Sequence, residues 1–151
     1  MKLAEALQER ADLNRKIEQL RARLQNNALV QEGDKTQENP EMLMKEMETA
    51  CSSLCALIIR INKTNCATCI DDGTSLVELI ARRDTLKTRL EIYRDIVSTA
   101  SQTARRAMRS EIRILSAVDV PELQKTADNI ARQIRLVDNQ LQEMNWKTEL
   151  L

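Results

Sequence analysis

Apolar residues recur along this chain at alternating spacings of three and four. Over one stretch the rhythm holds without a break, through Leu123, Ala127, Ile130, Ile134, Val137, Leu141 and Met144. That spacing puts all of them on one side of a single long helix, which turns once in about 3.6 residues. The same beat runs through Leu76, Leu79, Arg83, Leu86, Leu90, Tyr93, Val97 and Ala100. It also runs near the start, through Leu3, Ala6, Arg10, Leu13, Ile17, Leu20, Leu24 and Asn27. A further stripe, Leu43, Met47, Ala50, Leu54, Leu57 and Ile61, is wider than the others because Met44, Cys51 and Ile58 flank it. Such width implies contact on two sides, from two neighbouring helices or from a second subunit.

Breaks in the pattern set the element boundaries. The run QEGDKTQENP ends the first helix, and Asn39 followed by Pro40 reads as cap and first helical residue of the second. NCATCIDDGT is the next break, after which Ser75 and Glu78 read as a capping box. Asp119, with Pro121 and Glu122 behind it, starts the last helix in the same way. The helices are therefore expected at about residues 2–28, 40–64, 75–103 and 119–145. The expected fold class is all-α: a four-helix, up-down-up-down, coiled-coil-like bundle with shallow left-handed crossings, in one domain over residues 1–151. That topology puts ALVQEG beside EIRILS, and predicts a minor two-stranded β pairing at one end, between residues 29–31 and 112–115. The opposite end gathers the cysteine loop, Met1 and the tail NWKTELL.

Composition agrees with long helices and few turns: two glycines, two prolines, no phenylalanine and 30% charged residues. At 151 residues one domain with a real core is the default, burying very roughly 70% of its unfolded surface. Lys plus Arg and Asp plus Glu both number 23, a balance that argues against a surface built for nucleic acid or anionic lipid. MKLAEALQERADL is charged at nearly every turn and so is no secretory signal. Nothing later approaches the roughly 18 consecutive apolar residues of a membrane span. The expected location is the cytoplasm, where the four cysteines stay reduced and a disulfide framework is not expected.

Six segments carry a resemblance: MKLAEAL at the start, NALVQEGD after the first helix, RINKTN at the end of the second, ARRD in the third, SEIRILSAVDV before the fourth and NW near the end. With these the chain resembles a bacterial family of small helical proteins, some of which bear the name septicolysin. The resemblance spans nearly the whole length and implies an all-helical core, with no established reaction to carry over. The family's usual loop reads like RTNSAT followed by an acidic pair or Asp-Gly. Cys66 and Cys69 occupy that loop here, which marks these thiols as particular to this protein.

Three features invite a chemical reading. Cys51, Cys55, Cys66 and Cys69 spell C-x3-C, ten residues, C-x2-C, a superficial match to a four-thiolate zinc site. If the second helix continues to Thr64, Cys55 lies about 13 Å along the axis from its end, and two loop residues reach back at most about 7 Å. Ordinary thiols therefore come ahead of zinc, and ahead of a redox pair that Asp71 and Asp72 would disfavour. Arg10 and Arg83 sit at stripe positions where leucine would stabilise the bundle more; Glu5, Asp12 and Asp84 are the carboxylates within sequence reach. They read as a polar layer that sets register, or as stems snorkelling outward, ahead of an internal anion site. The cluster Arg105, Arg106, Arg109 and Arg113 lacks interleaved aromatics and is diluted by Glu111, so a solvated face is the first reading over a phosphate grip.

The chain has no histidine, the commonest general base and metal ligand, and no phosphate loop or dinucleotide fingerprint. No catalytic or cofactor-binding residue is assigned. The sequence reads as a structural or protein-interaction bundle, a homodimer with an unknown protein partner and with neither nucleic acid nor membrane. The alternative is a small enzyme or zinc-binding protein centred on the cysteine loop. A membrane-active protein, which the septicolysin name implies, needs a concealed apolar hairpin or a broad lipid-facing helix, whereas these stripes have the width of helix seams.

Overall fold

The computed structural model describes residues 1–103 and 112–151. Within them the chain is all-α, with four helices: α1 (Leu3–Asn26), α2 (Pro40–Ala67), α3 (Leu76–Ala100) and α4 (Val120–Lys147). The helix count and class are those the periodicity predicts.

The starts of α1, α2 and α4 have local causes. The Asn39 side-chain oxygen accepts hydrogen bonds from the N–H groups of Glu41 at 2.9 Å and Met42 at 3.4 Å, and Pro40 occupies the first turn, where its missing N–H costs nothing. Asp119 accepts from the Glu122 N–H at 3.1 Å and so caps α4. Ahead of α1 the Glu5 carboxylate accepts from the Lys2 N–H at 2.7 Å. At the far end of α1, buried Asn27 donates its amide back to the Arg23 carbonyl at 2.9 Å and accepts from the Glu38 N–H at 2.9 Å. One side chain thereby finishes α1 and holds the approach to α2.

The chain divides into two compact units. The first comprises Met1–Ser75 and Met144–Leu151. In it α1 and α2 run antiparallel: Lys16 Nζ meets Glu46 at 2.9 Å, and Arg23 pairs with Glu38 just before α2. Leu20, Leu43 and Ala50 are buried between the two helices, with Ile17, Leu24 and Met47 packed around them. At the other end of this pair the tail closes the seam. The Leu3 N–H donates to the Thr148 carbonyl and the Leu150 N–H to the Met1 carbonyl, both at 2.9 Å. The Leu151 N–H donates to the Thr64 hydroxyl at 3.0 Å, and Arg60 Nε donates to the Leu151 carbonyl at 2.8 Å. Met1 and the tail thus meet, as the topology predicts.

The second unit is Leu76–Glu143. Here α3 and α4 are antiparallel, with Leu90 buried against Ala127, Ile130 and Ile134, and with Leu86, Tyr93 and Ala131 around them. Apart from Thr64 on α2, every buried residue of the four helices lies on its expected stripe.

Two expectations need correction. The β pairing is not formed: neither residues 29–31 nor 112–115 are strands, and the isolated bridges join Lys2 to Glu149 and Cys69 to Ser75. Leu29, Ile112 and Leu115 face solvent, so a pleated pair there would bury no apolar face. The second helix also runs three residues past its expected end at Thr64.

Candidate functional site

The thiols are laid out along α2 rather than gathered. Cys51, Cys55 and Cys66 all lie on this one helix, with axial separations of about 6 Å and about 16 Å at 1.5 Å per residue. Cys69 follows the helix, in a turn closed by hydrogen bonds from the Ile70 N–H to the Thr74 carbonyl and from the Gly73 N–H to the Ile70 carbonyl, both 2.9 Å. Gly73 has φ +84°, a conformation that other residues adopt only with strain. Cys51 is half-buried, its thiol 3.6 Å from the Met47 sulfur, and the other three are exposed. Among the described residues no group of three or more His, Cys, Asp or Glu comes together to hold a metal ion.

The candidate polar residues belong to both units. Half-buried Arg83 directs Nε and Nη2 at one oxygen of Asp84, at 2.9 Å and 2.8 Å, with Asp138 across the α3/α4 seam at 3.9 Å. Arg10 lies in the other unit, and the carboxylates near it are engaged elsewhere. Glu5 caps the start of α1, while Asp12 pairs with Arg15 and accepts from Gln8 at 3.3 Å. Within α3, Arg83 and Asp84 pair with each other, as their adjacency in sequence suggests. Arg113 is exposed, and Arg105, Arg106 and Arg109 lie outside the described residues.

What sequence reasoning missed is a groove along one flank of the α1/α2 pair, about 710 Å³ in volume. Leu13, Leu43 and Ala50 supply its apolar lining, Met42 stands exposed beside it, and the pairs Lys16–Glu46 and Arg23–Glu38 border it. Arg23 reaches Glu38 through Nε at 3.2 Å and 3.1 Å, a fork that holds the Glu38 carboxyl below its usual range and raises Arg23. The Lys16 hydrogen bond, then its charge, lowers Glu46 in the same way. These partners are far apart in sequence, so only the paired helices reveal them. Buried Thr64 was also missed, although its place three residues after Ile61 continues the stripe.

Each unit also leaves large apolar side chains exposed. Met44 is 49% exposed and Ile59 48% on α2, and Ile92 is 52% exposed and Ile96 40% on α3. In the second unit a concavity of about 480 Å³ is lined by Ile96, Ala100, Ile114, Leu115 and Val118. Among the described residues no helix is long and apolar enough to cross a membrane.

Comparison with known proteins adds ancestry. A family profile described as a family of unknown function, DUF6847, matches residues 10–150. A solved structure, that of a functionally unknown conserved protein from Corynebacterium diphtheriae, is 36% identical. The match covers 100% of this chain and 99% of that one with a TM-score of 0.94. No curated protein matches the chain.

Proposed function

This chain belongs to DUF6847, a family of unknown function, and from that premise we propose that it acts through protein contacts, as a helical interaction module whose first partner is a second copy of itself. One observation carries the reading. Apolar side chains remain outside the seams, on faces that α1 and α4 do not cover: Met44, Cys51 and Ile58 on α2, Ile92 and Ile96 on α3. Covering a half-exposed side chain of this size contributes about 1 kcal/mol, so a handful suffices to drive association.

The reading treats residues 1–151 as one domain working in the cytoplasm, with no cofactor and with neither nucleic acid nor membrane as partner. Equal numbers of positive and negative residues, 23 of each, support the last point. The lytic activity suggested by the septicolysin resemblance is left out, because the buried stripe residues already serve helix seams within each unit. Native mass spectrometry of freshly purified, non-reduced protein tests the proposal. A metal-free dimer is expected; a strict monomer, or a stoichiometric metal or small molecule, would count against it.

A further inference from the structure

We propose that the outward face of α2 is the self-association surface, packed antiparallel against α2 of a second copy across a two-fold axis. This rests on the self-association reading and names its interface.

Residues 49–59, TACSSLCALII, run for three turns without a charge on any side, in a chain that is 30% charged. Within the first unit only one side of these turns is buried, through Ala50 and Leu57. Cys55 and Ile59 are exposed, and Cys51 and Ile58 are half-buried. Apolar side chains left open beside an uncharged stretch mark a face built to be covered.

The flanking charges choose the occupant. The first part of α2, residues 40–48, carries Glu41, Glu46 and Glu48 against Lys45, net −2, and residues 60–67 carry Arg60 and Lys63, net +2. Glu46 and Arg60 are engaged within the protomer, by Lys16 and by the Leu151 carbonyl. Glu41, Lys45 and Glu48 therefore remain exposed at one end, and Lys63 at the other. Two copies side by side in parallel set like on like. Turned antiparallel, the acidic end of each lies on the basic end of the other and the helix dipoles also oppose.

The apolar spacing fits the same symmetry. Met44, Cys51 and Ile58 stand seven residues apart. An axis passing at Cys51 sets Met44 opposite Ile58 of the second copy and Ile58 opposite its Met44, an isologous contact that closes after one partner. The patch is complementary to its own inverse, which an unrelated partner would not require.

Sedimentation analysis of full-length variants tests this. Wild type should be a dimer, and Met44→Glu should weaken dimerisation at least about tenfold with unchanged far-ultraviolet circular dichroism, while Ile92→Glu on α3 should leave the dimer intact. Glu41→Lys should weaken it more mildly, and Glu41→Lys combined with Lys63→Glu should restore it. A monomeric wild type would overturn the self-association reading altogether. A wild-type dimer indifferent to Met44→Glu would spare that reading and overturn the α2 interface. A dimer weakened by Met44→Glu that the paired charge reversal fails to restore would overturn the antiparallel arrangement.

Discussion

At the scale of single residues, Thr64 shows how much one buried hydroxyl can hold. It donates to the Arg60 carbonyl at 2.9 Å and accepts from the Leu151 N–H at 3.0 Å, so it completes a helical turn and anchors the tail together. Thr64→Val keeps the volume and removes both bonds. We expect a loss of about 1 to 2 kcal/mol in chemical denaturation, with amide exchange accelerated at residues 148–151 and unchanged in α3. Arg83 makes the opposite case. Its principal partner is the adjacent and exposed Asp84, with Asp138 at the edge of ion-pair distance, so the guanidinium stabilises little where it sits. Arg83→Leu should therefore melt at or slightly above the wild-type temperature, within about 1 kcal/mol, and a large loss would show that the seam depends on the charge. Asp84 was legible as that partner because it is next in sequence. Asp138 was not, because nothing in a single chain tells which residue of α4 faces a given turn of α3.

At the scale of elements, the sequence spoke clearly wherever the signal is local. The stripes of α1, α3 and α4 and the caps at Asn39 and Asp119 depend on neighbours within a few residues, and all are found where the spacing puts them. The end of α2 meets something remote. Expected to stop at about Thr64, the helix runs on to Ala67, and Leu151 from the far end of the chain donates to the Thr64 hydroxyl and accepts from Arg60 there. For the thiols, one-dimensional spacing resembles a ligand set, and the helix spreads Cys51, Cys55 and Cys66 along its axis, which is the objection the spacing itself had raised. The groove beside α1 and α2 was likewise invisible, since Lys16 and Glu46 meet only once the hairpin is closed. The α3/α4 seam offers a direct check on the stripe argument. Ile134, 8% exposed, lies in the cluster with Leu90, Ala127 and Ile130, and a carboxylate there would have no buried partner. Ile134→Asp should cost about 4 kcal/mol or more and abolish cooperative melting; a variant that melts like wild type would refute the seam.

At the scale of the whole molecule, the first unit carries ion pairs that acid should remove. The carboxyls of Glu38, Glu46 and Glu149 are held below their usual range by hydrogen bonds from Arg23, Lys16 and Lys2 respectively, with the N-terminal ammonium also lowering Glu149. All three belong to the unit of Met1–Ser75 and Met144–Leu151. Because each folded value is lowered, the stability these pairs contribute is fully present above the unfolded carboxyl value of about 4.3 and is lost as pH falls through the folded values. Exposure keeps each contribution small. Hydrogen exchange followed from pH 6 down to about pH 3 should thus show α1 and α2 loosening as these pairs are lost, and Glu38→Gln should weaken that pH dependence.

The tail clasp also imposes an order of events. Thr64 and the Leu151 N–H that it accepts are 87 residues apart in sequence, and Met1 and Glu149 are 148 apart. Residues 1–67 leave the ribosome on the order of 10 s before the residues that close over them, at ordinary rates of synthesis. During that interval the Leu3 N–H and the Thr64 hydroxyl, bonded to the tail in the finished fold, lack those partners. A newborn α1/α2 hairpin therefore waits, its closing bonds unmade, until the last residues of the chain arrive.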